Sequence, residues 1–322
     1  MFAIFECGML RMRCHVVDAL DMTGGQCAAL YPEKPIYDIP GHPRIDAADL
    51  VDRLTEQAAP FDPVYHLGQR VTALVPDGER FHVETSAGTR ITARAVIVAA
   101  GVGAFGPNRP PLDGIEAYEG RSVFYMVKRR EDLRGKRVVI AGGGDSAVDW
   151  ALALAGIAAR IMVVHRRPKF RAAPESAARL DRLAAEGVIE LVVPYQLAGL
   201  DGADGKLAGV TVSTLDGALR RLDADVLLPF FGLAMNLGPI AEWGLELDRA
   251  HITVEPSTCA TSLPGVHAIG DIASYPGKLK LILSGFAEAA AAAHAIRGRV
   301  FPGEVLHFEY STTQGVPGAA AA

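Results

Sequence analysis

The stretch 138–154, VVIAGGGDSAVDWALAL, runs from a β-branched apolar segment through three glycines into a pattern with helical spacing. Gly142-Gly143-Gly144-Asp145-Ser146-Ala147 matches G-x-G-x-x-A. In such a turn the first glycine permits the tight bend and the second lets backbone approach a pyrophosphate. The small third position allows close helix–strand packing, and the helix start supplies N–H donors and partial positive charge. A surface turn can carry the same letters; the apolar strand before it and the helix after it favour a phosphate cradle. The next strand candidate, RIMVVHRR at 160–167, bears on which dinucleotide is held. A site for NAD ends this strand in Asp or Glu, which holds the ribose hydroxyls. Here the strand ends in Val164, His165, Arg166 and Arg167, with Lys169 and Arg171 beyond. Guanidinium groups meet phosphate oxygens in bidentate fashion, so the cluster reads as a seat for a 2′-phosphate and the cofactor as NADPH. A solvated basic turn is the alternative. The candidate cofactor-binding residues here are Gly142, Gly144, Asp145, Ser146, Ala147, Arg166, Arg167 and Arg171.

Working outward, short β-branched runs alternate with helical patterns and glycine turns, which predicts parallel-sheet α/β units. Strands are expected in 14–19, 94–101, 136–142, 160–167, 224–232 and 265–271. The segment 70–93 reads differently, as three short strands with hairpin turns at Asp77-Gly78 and Ala87-Gly88. A similar meander recurs over 197–228, so the chain carries a weak internal repeat of nucleotide unit, meander and return strand. The Pro- and Gly-rich stretch 108–120 suits a linker, and a second crossover is expected near 245–255.

The 322 residues suffice for two domains with sizeable cores. Half are hydrophobic and 21% are charged, as in an ordinary globular protein. A net charge of −5 argues against general nucleic-acid binding. The four cysteines, Cys7, Cys14, Cys27 and Cys259, form no C-x-x-C, which excludes the usual zinc-finger and redox-dithiol spacings. No metal site is expected. No apolar run reaches the roughly 18 residues of a membrane span, and the opening segment lacks a secretory signal's basic start, so a cytoplasmic protein is expected.

A second nucleotide site is indicated by CHVVDAL, 14–20, which ends its strand in Asp18, the carboxylate such a site uses for a ribose. The helix expected before that strand is present as FAIFECGMLRMR, 2–13. The first strand and glycine loop that should precede the helix are not fully present, so a chain truncated at its N-terminus is expected, with a protein that lacks half of a pyrophosphate cradle as the alternative.

Together, GGQCAALYPEKPIYDIPGHPRI (24–45), VIVAAGVGAF (96–105), GGGDSAVDWALAL (142–154), VVHRRPKFRA (163–172), NLGPIAEWGLEL (236–247), HAIGDIASYPGKLKLILSGFAEA (267–289) and FEYSTTQ (308–314) make the chain resemble the thioredoxin-reductase-like flavoproteins. Within these it is similar to the ferredoxin (flavodoxin)–NADP reductases. The resemblance implies an α/β protein with two Rossmann-like, three-layer nucleotide-binding domains carrying inserted β-meanders. The FAD domain would be discontinuous, 1–112 with 250–322, around an NADPH domain of 113–249. It implies Asp18 at the FAD ribose, Gln26 and Tyr31 at the flavin, Val71 on the adenine side, Phe105 lining the flavin site and Asp271 at the ribityl–phosphate region. Tyr310 would cover the other flavin face with Thr312 beside it, and Tyr31 and Tyr310 would serve catalysis as gates and stacking plates.

The implied activity is hydride transfer from NADPH to FAD, then single electrons to ferredoxin or flavodoxin, or the reverse, in a homodimer. One departure separates the chain from the thioredoxin reductases proper. They carry a C-x-x-C before the second glycine turn, whereas 123–144 here contains no cysteine. A reductase of this class with another acceptor, or a nucleotide-binding relic without catalysis, are the alternative readings. The densest basic stretch, Lys128, Arg129, Arg130, Arg134, Lys136 and Arg137, is a candidate docking face for an acidic partner, with a solvated face as its rival.

Overall fold

A computed structural model describes residues 1–306 and Gly315, without the side chains of 104–107 and 233–235. Tyr310 and Thr312 lie outside the described residues, as does the side chain of Phe105. Among the described residues six α-helices occur: α1 (Phe2–Met9), α2 (Gly25–Ala29), α3 (Ala47–Ala58), α4 (Asp145–Leu154), α5 (Pro174–Ala185) and α6 (Ile282–Val300). The chain gathers into two compact units. One comprises Met1–Ala29, Pro35–Phe105 and the chain from Met235; the other comprises Leu30–Lys34 and Gly106–Ala234.

The second unit is built on a four-stranded sheet in the order 189–192, 160–164, 137–141, 226–229, with every neighbour parallel. Both faces of this sheet are buried, which is why its strands read as continuous apolar runs rather than alternating ones. Alternation decides only which layer each side chain joins. Val138, Ile140, Ile161, Val163, Ile189 and Leu228 join a core with Val148, Trp150, Ala151 and Leu154 of α4 and Leu180 of α5. Val139, Ala141, Met162, Val164, Val192 and Leu227 join a second core with Leu207, Val210, Val212 and Leu222. Those last four belong to the antiparallel meander 196–203, 206–213, 219–223. The unit therefore has three layers: helices, parallel sheet and meander.

In the first unit the parallel pairing among the described residues comes in three short, separate ladders: His15–Val17 with Val64–His66, Val96–Val98 with Val266–Ala268, and His251–Thr253 with Ala273–Ser274. The predicted meander is present as Val71–Asp77, Arg80–Thr85 and Arg90–Ala93. Its Leu74, Phe81 and Val83 pack with Val98, Ile252, Val266 and Ile272. The first helix stops at Met9, short of the apolar pattern that continues to Met12. Arg11 takes a left-handed conformation (φ 61°) and donates to the Gly8 carbonyl, while the Met12 amide donates to Cys7. This is a Schellman ending, normally glycine's place. It turns Leu10 and Met12 onto Ala293 and Ile296 of α6. The Ala-rich run of α6 is thus a close-packing face, with Ala289, Ala292 and Ala293 buried.

Ile140 sits at the centre of the four-stranded sheet with no exposed surface. Ile140→Ala is expected to cost about 2–5 kcal/mol through lost burial and the cavity left behind, read as a shifted denaturant midpoint with unchanged slope.

Candidate functional site: the glycine turn and its basic flank

In strand order 3-2-1-4 the chain reverses direction across the sheet after 137–141, and the crevice beyond the strand ends at that point is where such sheets hold ligands. The glycine turn occupies this place. A Cβ on Gly142 would stand 2.6 Å from the Phe230 carbonyl oxygen, because the fourth strand's end runs hard against the turn. A Cβ on Gly143 would stand 2.1–2.4 Å from the His165 ring. Gly144, by contrast, has nothing nearer than the Arg171 carbonyl at 4.0 Å, and Gly144, Asp145 and Ser146 are exposed. Two glycines thus let the backbone turn against its own sheet, and the third leaves an open surface at the start of α4. No side chain caps that helix start, so its first amides and partial positive charge are available to an anion.

The segment after the second strand folds back along the turn. The Arg171 amide donates to the Gly143 carbonyl at 2.6 Å, and the Ala173 amide donates to Asp145 Oδ1 at 2.9 Å. Arg171 is thereby brought beside the cradle, with Arg166 and Arg167 on the same short connection. All three are exposed, and none has an acidic partner among the described residues. His165 closes the wall: its ring is buried, packed 5.2 Å from Phe170, and its Nε2 has no partner among the described residues. Burial, and then the neighbouring Arg166, Arg171 and Arg167, push its pKa below the usual histidine value. An open helix start, a wall with an unpaired buried nitrogen and three uncompensated guanidiniums fit a phosphate-rich ligand. Sequence reasoning did not single out His165 for a role; its only signal was a polar residue ending an otherwise apolar strand.

The other basic run differs. Arg134 is held by Glu131, Arg137 by Asp225, Arg130 by Glu33 and Arg129 more loosely by Asp132 at 3.9 Å. Most of its charge is compensated locally, which favours the solvated face.

In the first unit, Asp18 is half-buried just past its strand. Its Oδ1 accepts from the Leu20 amide at 2.9 Å, and its own amide and carbonyl are tied to His66 and Gln69. Burial raises its pKa, opposed by the Leu20 hydrogen bond. Gln26 lies on α2, near enough to Gly101 that a Cβ there would meet its Nε2 at 3.4 Å. Val71 opens the meander beside a bulge, and Asp271 lies half-buried in the 3-10 turn Gly270–Ile272. Tyr31 belongs to the second unit, where it packs on the helix-side core beneath Lys34, whose Nζ is 5.5 Å from the ring centroid. Lys34 in turn pairs with Asp149 of α4 at 2.9 Å. No group of three or more His, Cys, Asp or Glu among the described residues is gathered as a metal site.

Residues 17–295 match the pyridine nucleotide-disulphide oxidoreductase family. The chain belongs to that family. Within it, the chain belongs with the ferredoxin–NADP reductases. It is 66% identical to proteins of that name from Rhodospirillum rubrum, over 99% of this chain and 94% of the relative, and from Paramagnetospirillum magneticum, over 98% and 94%. The Rickettsia akari protein of that name is 56% identical over 98% of the chain and 94% of the relative. The fold resembles thioredoxin reductases: that of Lactococcus lactis at TM-score 0.79 and 22% identity, covering 93% of this chain and 94% of that one. The thioredoxin reductase of T. acidophilum gives 0.80 and 22%, covering 92% and 93%. The α/β fold with two dinucleotide-binding domains is therefore that of the family.

In this family member, Gly143→Ala drives a methyl group into the His165 ring, an overpacking expected to cost about 1–3 kcal/mol. Adding His165→Ala removes the collision, so the double variant is expected to lose less than the sum of the two single losses. A thermal or denaturant double-mutant cycle checks this; strict additivity would mean that the ring and the turn do not touch.

Proposed function

We infer that this protein is an NADPH-dependent flavoprotein reductase whose electron partner is ferredoxin or, as a second acceptor of the same kind, flavodoxin. The observation that carries the reading is the combination of full-length likeness to ferredoxin–NADP reductases with a second unit that contains no cysteine at all. Without a dithiol, thiol–disulfide exchange with thioredoxin has no attacking sulfur.

The cofactors are FAD and NADPH. FAD, when bound, would supply the chemistry no side chain can perform, acceptance of one hydride (two electrons) from NADPH and release of the electrons one at a time. The chain's own residues bind, orient and shield. Gly142, Gly144, Asp145, Ser146 and Ala147 form the turn for the NADPH pyrophosphate, and Arg166, Arg167 and Arg171 take its 2′-phosphate. Asp18 and Asp271 hold the ribose and ribityl–phosphate portions of FAD, with Gln26 and Tyr31 at the flavin, Val71 at the adenine side and Phe105 lining the site. For Tyr310 and Thr312, outside the described residues, a contact with the flavin is proposed from the family resemblance. The FAD domain is assigned to the first unit and the NADPH domain to the second. No helix among the described residues is long and apolar enough to cross a membrane, and a cytoplasmic homodimer is the form proposed.

The purified protein is expected to be yellow and to bleach on adding NADPH without oxygen. It should then regain colour with ferredoxin or flavodoxin but not with thioredoxin; a protein that stays colourless with added FAD would contradict the reading. Replacing both Arg166 and Arg167 with Ala is expected to cut the preference for NADPH over NADH by about 100-fold, since each charge-assisted phosphate contact contributes about 1.5–3 kcal/mol. An unchanged ratio of the two kcat/KM values would remove the arginines from the site.

A further inference from the structure

The motif 267–289 contains a buried charge cluster that the functional reading does not use. Glu288 lies on α6 with 4% of its surface exposed. Three donors converge on its carboxylate: the Gly270 amide at 2.7 Å, the Tyr275 hydroxyl at 2.7 Å and the ammonium of Lys278. Both side chains of the Lys278–Glu288 pair are buried, at 7% and 5% exposure. The Lys278 ammonium also lies 5.4 Å from the Tyr275 ring centroid. Cys259, fully buried nearby, has its thiol pushed up to about 11, by burial first and then by Glu288, so it stays neutral and adds no competing charge.

One face of α6 meets the turn that carries Asp271. Gly285, one helical turn before Glu288, comes close enough that a Cβ there would lie 3.7 Å from Gly270 Cα. Gly270 itself is in the left-handed region at φ +73°. Its amide faces the helix and finds its acceptor in Glu288 rather than in backbone. A buried ion pair contributes little net stability compared with apolar groups of the same shape. A carboxylate with three donors does, however, hold one backbone geometry tightly.

We propose that Glu288 is a positioning residue for the cofactor site: neutralised by Lys278 and oriented by Tyr275, it clamps the Gly270 amide and so sets where Asp271 meets the ribityl–phosphate portion of FAD. The proposal rests on the assignment of Asp271 made above. Lys278 has a second consequence. By cancelling the Glu288 charge it keeps a bare anion from lying one residue away from the Asp271 carboxylate, which must itself face a phosphate-bearing ligand.

The test uses the FAD-loaded protein. Glu288→Asp keeps the charge but withdraws the carboxylate from the Gly270 amide by one methylene. FAD release, followed by the rise in flavin fluorescence on dilution, is expected to quicken about 10-fold, the loss of one charge-assisted hydrogen bond. Amide exchange in the peptide containing Gly270 should quicken with it while the melting temperature moves only slightly. Glu288→Leu combined with Lys278→Leu removes both charges together, and should keep its fold yet release FAD at least as fast as Glu288→Asp. Wild-type FAD release and wild-type Gly270 exchange in Glu288→Asp would overturn the clamp. Asp271→Ala, measured alongside, separates the two claims. Fast release there with wild-type release in Glu288→Asp overturns the positioning role alone. Wild-type release in both overturns the assignment of Asp271 on which it rests.

Discussion

The packing of a glycine turn against the end of a neighbouring strand is the constraint on which the second unit depends. Gly142 must pass within van der Waals reach of the Phe230 carbonyl, and Gly143 must pass the His165 ring. A side chain at Gly142 would press on the fourth strand's end, and one at Gly143 on the His165 ring at the end of the second strand. Because both are parallel neighbours of the first strand, either displacement would disturb a ladder at the turn. The turn is therefore both a requirement of the sheet and the surface proposed for the phosphate-bearing ligand. The strand order puts it at the reversal point, and the helix that follows points its unsatisfied amides outward there.

Compensation of charge, rather than density of charge, distinguishes the two basic segments. The run 128–137 holds more cations, yet its arginines are matched by Glu33, Glu131, Asp132 and Asp225. The segment 165–171 has fewer, but its three arginines stand exposed and form no ion pair among the described residues, beside an open helix start. Uncompensated charge beside a fixed dipole attracts an anion, whereas paired surface charge contributes little beyond solubility. In the first unit the same contrast holds in buried form. Glu288 is surrounded by donors, Lys278 among them, while the carboxylate of Asp271, next in the chain to Gly270, makes no hydrogen bond among the described residues.

Much of this was legible in the residues. The strands at 137–141, 160–164 and 226–229 and both meanders follow from β-branched runs and Asp-Gly or Ala-Gly turns, since a strand buried on two faces leaves no choice but continuous apolar side chains. Other features gave no such signal. Tyr31 sits in a motif otherwise belonging to the first unit, yet its segment 30–34 packs with the second, drawn there by the Lys34–Asp149 pair and the apolar core beneath the ring. The end of α1 carried no glycine to mark it, because Arg11 takes the left-handed place glycine usually fills.

Read alone, the chain determined the class of fold, the place of the glycine turn and the lack of a C-x-x-C, because each rests on local chemistry: periodicity, a turn's need for glycine, and the spacing of the cysteines. Tertiary structure alone decided which cations are free, which polar atoms are buried and which residues far apart in the chain share a carboxylate. Those outcomes depend on distances between separate elements. His165 became a wall of the cradle, and Glu288 a clamp on Gly270, only when folding brought a ring to a turn and a helix to a strand's end.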